Sequence, residues 1–137
     1  MTDLADHALA IANLKARYCA AADLSATNPA AARTQFAQIF VDDFVGDYGF
    51  SSIEGAQAIT DFLCTAIAAN SEWALHMLHS PRITVSGDTG TGDWTVLAHM
   101  KRRETGAIDV VLGRYSDHFH LTSSGWRIAK VTFERLA

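Results

Sequence analysis

Apolar positions recur at helical spacing near the start of the chain: Leu4, His7/Ala8, Ile11, Leu14/Lys15, Tyr18 and Ala22. The spacing predicts a first helix, capped by Asp3 or Asp6 and running to about Asp23. Its apolar stripe is rich in small residues, so the helix can lie close against a sheet. Asn28 and Pro29 then read as the cap and first residue of a second helix that carries Phe36, Ile39 and Phe40. The run VDDFVGDYGF switches to strand character, with Phe44, Tyr48 and Phe50 on one alternation and Gly46 and Gly49 marking a bulge or a close approach. Ser52 opens another helix-start signal. A third helix follows, with Ala58/Ile59, Phe62/Leu63 and Ala66/Ile67 at core spacing, ending at Asn70 and Ser71.

From Trp73 the pattern is strand, turn, strand. WALHMLHSPRITVS is followed by the hairpin signal GDTGTG and by DWTVLAHMKRR. RETGAID is a second turn, Asp109 to Thr122 a long strand, SSG a third turn and WRIAKVTFERL the last strand. Helices first and a meander of about four strands last is an α+β pattern, an antiparallel sheet with helices on one side. Strands this long must twist and coil, which makes one face concave. The helices can close that face into a cone-shaped domain with a pocket inside. No repeat, linker or low-complexity tract interrupts the 137 residues, so they read as a single domain.

Composition narrows the function classes. Apolar residues are 49% and charged residues 19%, a globular balance. The net charge of −4 argues against nucleic acid, and the one basic cluster, Lys101, Arg102 and Arg103, reads as a solvated strand end. Cys19 and Cys64 lie in Ala-rich helical patterns without metal-ligand spacing and read as small buried residues of a reducing compartment. No apolar run spans a membrane and MTDLADHAL lacks a basic start, so a soluble, cytoplasmic protein without a membrane partner is expected.

Candidate chemistry centres on the hairpin. His76 lies on its first strand, His99 on its second, and Asp23 ends the first helix after three alanines; the three are expected to line one cavity. Free imidazole titrates at about 6.5, which suits a base at neutral pH. A carboxylate on the other ring nitrogen would hold the tautomer and stabilise the imidazolium. Tyr48 and His99 could polarise a substrate oxygen or protonate a leaving hydroxide. Each has an ordinary rival: Asp23 as a cap of the next turn, Tyr48 as a core ring, and His99 on the outer face with Leu97 and Lys101. Arg114 and Asp117 lie on opposite faces of one strand; Asp117, beside Tyr115 and Phe119, is expected inside. His118 and His120 share a face, but a metal site wants three or four convergent ligands, so no metal and no cofactor are expected. Trp73, Trp94 and Trp126 read as sheet and interface aromatics.

Several segments carry a family resemblance: RYCAAAD at 17–23, QIFVDDF at 38–44, HMLHSPRI at 76–83, GDTGTG at 87–92, GRYSDHF at 113–119 and GWRI at 125–128. In order and spacing they resemble the SnoaL-like branch of the nuclear-transport-factor-two-like superfamily. Relatives there that share a helix-one aspartate and a hairpin histidine are lyases, among them scytalone dehydratase, the bile-acid dehydratases and hexachlorocyclohexane dehydrochlorinase. The resemblance implies catalytic roles for Asp23, His76, Tyr48 and His99, and a substrate contact for Tyr18. Two positions depart from it. Ala22 stands where scytalone dehydratase has a tyrosine, and Lys130 is the nearest match to a last-strand arginine that assists the leaving group. The implied function is a cofactor-independent dehydratase acting on a small, apolar, cyclic substrate. Isomerisation or cyclisation by the same base, or a non-catalytic binding or assembly role, remain alternatives. The resemblance also implies a homodimer or homotrimer formed through the outer sheet face, with Trp94, Val96, Val110 and Val131 as candidate contacts.

Overall fold

The computed structural model describes residues 3–137. Helix α1 (Leu4–Ser25) starts where Asp3 accepts the Asp6 amide at 2.9 Å, and α2 (Pro29–Phe36) starts on Asn28 in the same way. Strand β1 (Phe40–Asp47) and the short β2 (Ser52–Glu54) form an antiparallel pair ahead of α3 (Ala56–Asn70). Four long strands complete the chain: β3 (Ser71–Ser86), β4 (Thr89–Arg102), β5 (Ile108–Thr122) and β6 (Gly125–Arg135).

The sheet has six strands in the order β2-β1-β6-β5-β4-β3, because β1 adds in parallel to β6. The helix expected over Ile39 and Phe40 therefore stops at Phe36, and both residues enter the sheet region as buried side chains. The helix start read at Ser52 is the short β2 instead; α3 is entered through Gly55, whose φ of +96° suits glycine. Only Gly87 and Asp88 turn the central hairpin, and the remaining TGTG is strand. Gly90 and Gly92 serve packing: a Cβ on Gly90 would meet Ile11 at 2.7 Å and one on Gly92 the Trp94 ring at 2.5 Å. Their missing side chains let α1 and the aromatic core lie directly on the sheet.

Irregularities curl the sheet around the helices. Pairing of β3 with β4 breaks between His79 and Arg82, where Ser80 takes φ +53° and Pro81 has no N–H to give. An extra residue, Ala129, interrupts β6 opposite His118/Phe119. It resets the alternation, so Trp126 and Ile128 before it and Val131 and Phe133 after it all face inward. The core fills the closed end of the cone with Ile11, Leu14, Phe36, Phe44, Trp94, Phe119, Ile128 and Val131. Arg103 ties the open end together. Its guanidinium donates to Ala26 O at 2.7 Å and Ala68 O at 3.1 Å, carbonyls at the C-terminal ends of α1 and α3 where a cation is favoured.

The outer face differs from the expectation. Trp94, Val96 and Val131 are buried inside. The outward apolar side chains are Trp73, Leu75, Ile108, Val110 and Leu112, and the register sets Leu75, His99 and Val110 in one row. No helix among the described residues is long and apolar enough to cross a membrane.

Candidate active site

Asp23 sits in the last turn of α1, where the helix dipole disfavours a negative charge and no basic side chain offsets it. The compensation comes from β3. Oδ1 of Asp23 lies 2.6 Å from Nδ1 of His76 and accepts the His76 backbone N–H at 3.0 Å; Oδ2 accepts the same N–H at 3.2 Å. One residue thus holds the carboxylate through both ring and backbone. The Nδ1 contact fixes the imidazole and leaves Nε2 as the nitrogen available to the cavity that His76 lines. The two side chains are 12% (His76) and 20% (Asp23) exposed, so the pair is shielded yet reachable.

That cavity has a volume of about 270 Å³. Its walls are apolar, drawn from Ala22, Leu63, Val96, Ala98, Met100 and Phe133, and Phe50 stands exposed at its edge against Phe62. Three tyrosines reach it: Tyr18, Tyr48 and Tyr115. The hydroxyls of Tyr18 and Tyr48 share a hydrogen bond of 2.8 Å. Burial pushes both phenols well above their ordinary range, so both stay protonated at neutral pH. One hydroxyl donates to the other, and the second proton remains free for a ligand oxygen. Gly46 makes room for this arrangement: a Cβ there would stand 2.7 Å from the Tyr48 ring and 3.0 Å from that of Phe44.

The other expected site residues lie elsewhere. On β4 the buried side chains are Trp94, Val96 and Ala98, so His99 falls on the outer face with Leu97 and cannot reach the cavity. Lys130 is exposed on the outer side of the β6 bulge. The last strand instead brings Arg135 to the cavity, five residues further on; two-residue alternation counted forward from Val131 through Phe133 leads to it.

Asp117 faces inward but does not line the cavity. It is buried at the closed end with its carboxylate 2.7 Å from Lys15 Nζ, and both side chains are fully enclosed. No hydrogen-bond geometry is satisfied at Lys15 Nζ or at either Asp117 oxygen. The pair rests on charge attraction and on the tyrosine rings: Nζ lies 3.5 Å from the centre of Tyr115 and 4.0 Å from that of Tyr18. Burial pushes Asp117 up to about 6, against the pull of Lys15. Lys15 was read from the sequence only as a helix position, because a lysine at core spacing carries no sign of its partner. Burial likewise raises Cys19 to about 12, which leaves an inert thiol. Among the described residues no group of three or more His, Cys, Asp or Glu side chains could hold a metal ion.

The family model of the SnoaL-like domain matches residues 3–132. The chain belongs to the SnoaL-like family. A comparison of its sequence with curated proteins finds no match. Solved structures share the fold over nearly the whole length. A nuclear-transport-factor-2-like superfamily protein from Salmonella enterica is 21% identical with a TM-score of 0.87, over 98% of this chain and 94% of that one. A candidate aromatic ring hydroxylase from Novosphingobium aromaticivorans is 26% identical with a TM-score of 0.85, over 99% and 93%. Hexachlorocyclohexane dehydrochlorinase from Novosphingobium barchaimii is 18% identical with a TM-score of 0.80, over 94% and 86%. These solved structures, a dehydrochlorinase among them, share this chain's fold.

Proposed function

We propose that the protein is a cofactor-independent lyase of the dehydratase type, acting on a small, largely apolar cyclic compound. The observation that carries this reading is the 2.6 Å contact between Asp23 and Nδ1 of His76 at the wall of an apolar cavity. His76 Nε2 takes a proton from the carbon beside a substrate carbonyl, and Asp23 stabilises the imidazolium. The Tyr18–Tyr48 pair donates to the carbonyl oxygen as charge builds on it. The carbon–hydroxyl bond then breaks, and the departing oxygen takes the proton held by His76. Water leaves, a carbon–carbon double bond forms and the imidazole is neutral again.

With His99 on the outer face, His76 serves as both base and acid. A single shuttling base also fits isomerisation, in which the same proton returns to another carbon. Incubating cyclic hydroxyketones in D2O separates the two reactions: elimination loses water and leaves the acidic carbon in the new double bond, whereas isomerisation loses no water and places deuterium on the carbon that is reprotonated, as far as the imidazolium exchanges with solvent. His76→Ala should lower either rate by about 10²–10⁴-fold, with Asp23→Asn also impaired. A His76→Ala protein as fast as the wild type would overturn the reading and favour a binding role for the cavity.

A further inference from the structure

The cavity wall carries one permanent charge. Among the described residues, its only ionisable side chain apart from His76 and the three tyrosines is Arg135. Among the described residues this guanidinium meets no acidic side chain; Nε donates to Ala137 O at 3.2 Å, and no hydrogen bond leaves Nη1 or Nη2. Four other arginines pair with acids, Arg33 with Asp61, Arg82 with Asp93, Arg102 with Asp109 and Arg114 with Glu134, and Arg17, Arg103 and Arg127 do not line the cavity. Glu134, next in sequence to Arg135, is engaged by Arg114 across the β5–β6 ladder and does not line the cavity. Among the described residues the two terminal nitrogens of Arg135 are thus free at the mouth of an apolar cavity, in a molecule of net charge −4.

Its position relative to His76 sets the shape of a ligand. The register places Arg135, Gly113, Val96 and Leu78 in one row, and Val111, Ala98 and His76 in the next. Arg135 and His76 are therefore three strands apart, about 14 Å along the sheet at the usual strand spacing. The sheet curls between them, so both reach the same cavity from opposite walls. Gly113 opens the row between: a Cβ there would meet the Phe133 ring at 2.5 Å. The absent side chain lets that ring lie against the sheet as a flat apolar wall.

We propose that Arg135 selects substrates whose cyclic apolar body carries a carboxylate. The carboxylate lies at the mouth, paired with the guanidinium fork, while the ring is held between Phe133 and Val96 and its reacting carbon faces His76. This rests on the reading of the cavity as a substrate site and deepens it by naming the group that orients the substrate.

The test is binding, which needs no turnover. 1-Naphthoate and 1-naphthylmethanol are titrated calorimetrically into the wild type, Arg135→Leu, Arg135→Lys and Glu134→Gln. The wild type should prefer the carboxylate by roughly tenfold or more at low salt, the range for a charge-assisted pair, and less at high salt. Arg135→Leu should lose that preference while holding the alcohol as before. Arg135→Lys should keep part of it, and Glu134→Gln, which does not line the cavity, should keep all of it. Unchanged naphthoate binding by Arg135→Leu would overturn the proposal and leave Arg135 at most a role on a departing group. A wild type that prefers the alcohol would overturn it too. If the wild type binds neither compound, the reading of the cavity fails and the proposal falls with it. Loss of the preference with no effect of His76→Ala on turnover would instead sink the lyase mechanism alone.

Discussion

Replacing Lys15 by methionine should destabilise the fold in a pH-dependent way. The wild-type pair is enclosed on all sides, with Nζ 2.7 Å from Asp117. Asp117 titrates at about 6 in the fold against an ordinary 3.8. Between those values the native state binds more protons than the unfolded chain, so this group's contribution to stability falls as pH rises through that window and is flat above it. At neutral pH the ionised buried carboxyl costs about 3 kcal/mol relative to acid solution, at about 1.4 kcal/mol for each pH step. Lys15 keeps the cost that low. Without it, Asp117 stays ionised and unpaired or remains protonated far above its ordinary range. Breaking a buried pair in this way typically costs about 3–5 kcal/mol. At about pH 5 the wild-type carboxyl is already mostly protonated, so the substitution removes little and a methionine fills the space well. Urea unfolding followed by far-ultraviolet circular dichroism, at pH 5 and pH 8, should show a large loss at pH 8 and a small one at pH 5. The double variant Lys15→Met/Asp117→Leu should recover most of the loss. An equal loss at both pH values, or none at pH 8, would refute the argument that the charge pair matters.

Two further outcomes follow from packing. Gly46→Ala puts a methyl 2.7 Å from the Tyr48 ring, so it should displace that ring, cost about 1–3 kcal/mol in thermal or urea melts and weaken the Tyr18–Tyr48 oxygen cradle; crystallography of the variant would show the shift, and an unmoved Tyr48 would contradict it. Val110 and Leu75 flank His99 in one outer row, 49% and 48% exposed. If copies associate through this apolar face, Val110→Glu should convert a dimer or trimer to monomer in light scattering; a wild type already monomeric at micromolar concentration would remove that expectation.

The hydrophobic pattern alone carried the layout. Periodicity marked α1, α3 and the four long strands, because a 3.6-residue or two-residue repeat is a local property of the chain. Local signals marked the strand from Val41, as β1 shows, but assigned Ile39 and Phe40 to a helix and a helix start to Ser52. Phe40 joins the sheet because β6 pairs with β1 in parallel at Phe40–Ile128 and Val45–Lys130, contacts between residues 88 and 85 positions apart. The face of His99 was open for the same reason: strict alternation names two faces but not which is covered.

Residue types and their order nominated Asp23, His76, Tyr48 and His99, because an acid, imidazoles and a phenol at those points suit one chemistry, and the family resemblance added Tyr18. The tertiary structure alone decided which groups meet. It brought Asp23 to His76 across fifty-three residues and sealed Asp117 against Lys15. A single extra residue on β6 placed Arg135 at the cavity and Lys130 outside it. Contacts of that kind depend on sheet curvature and bulges, which arise from how distant strands pair and leave little trace in any short stretch of sequence.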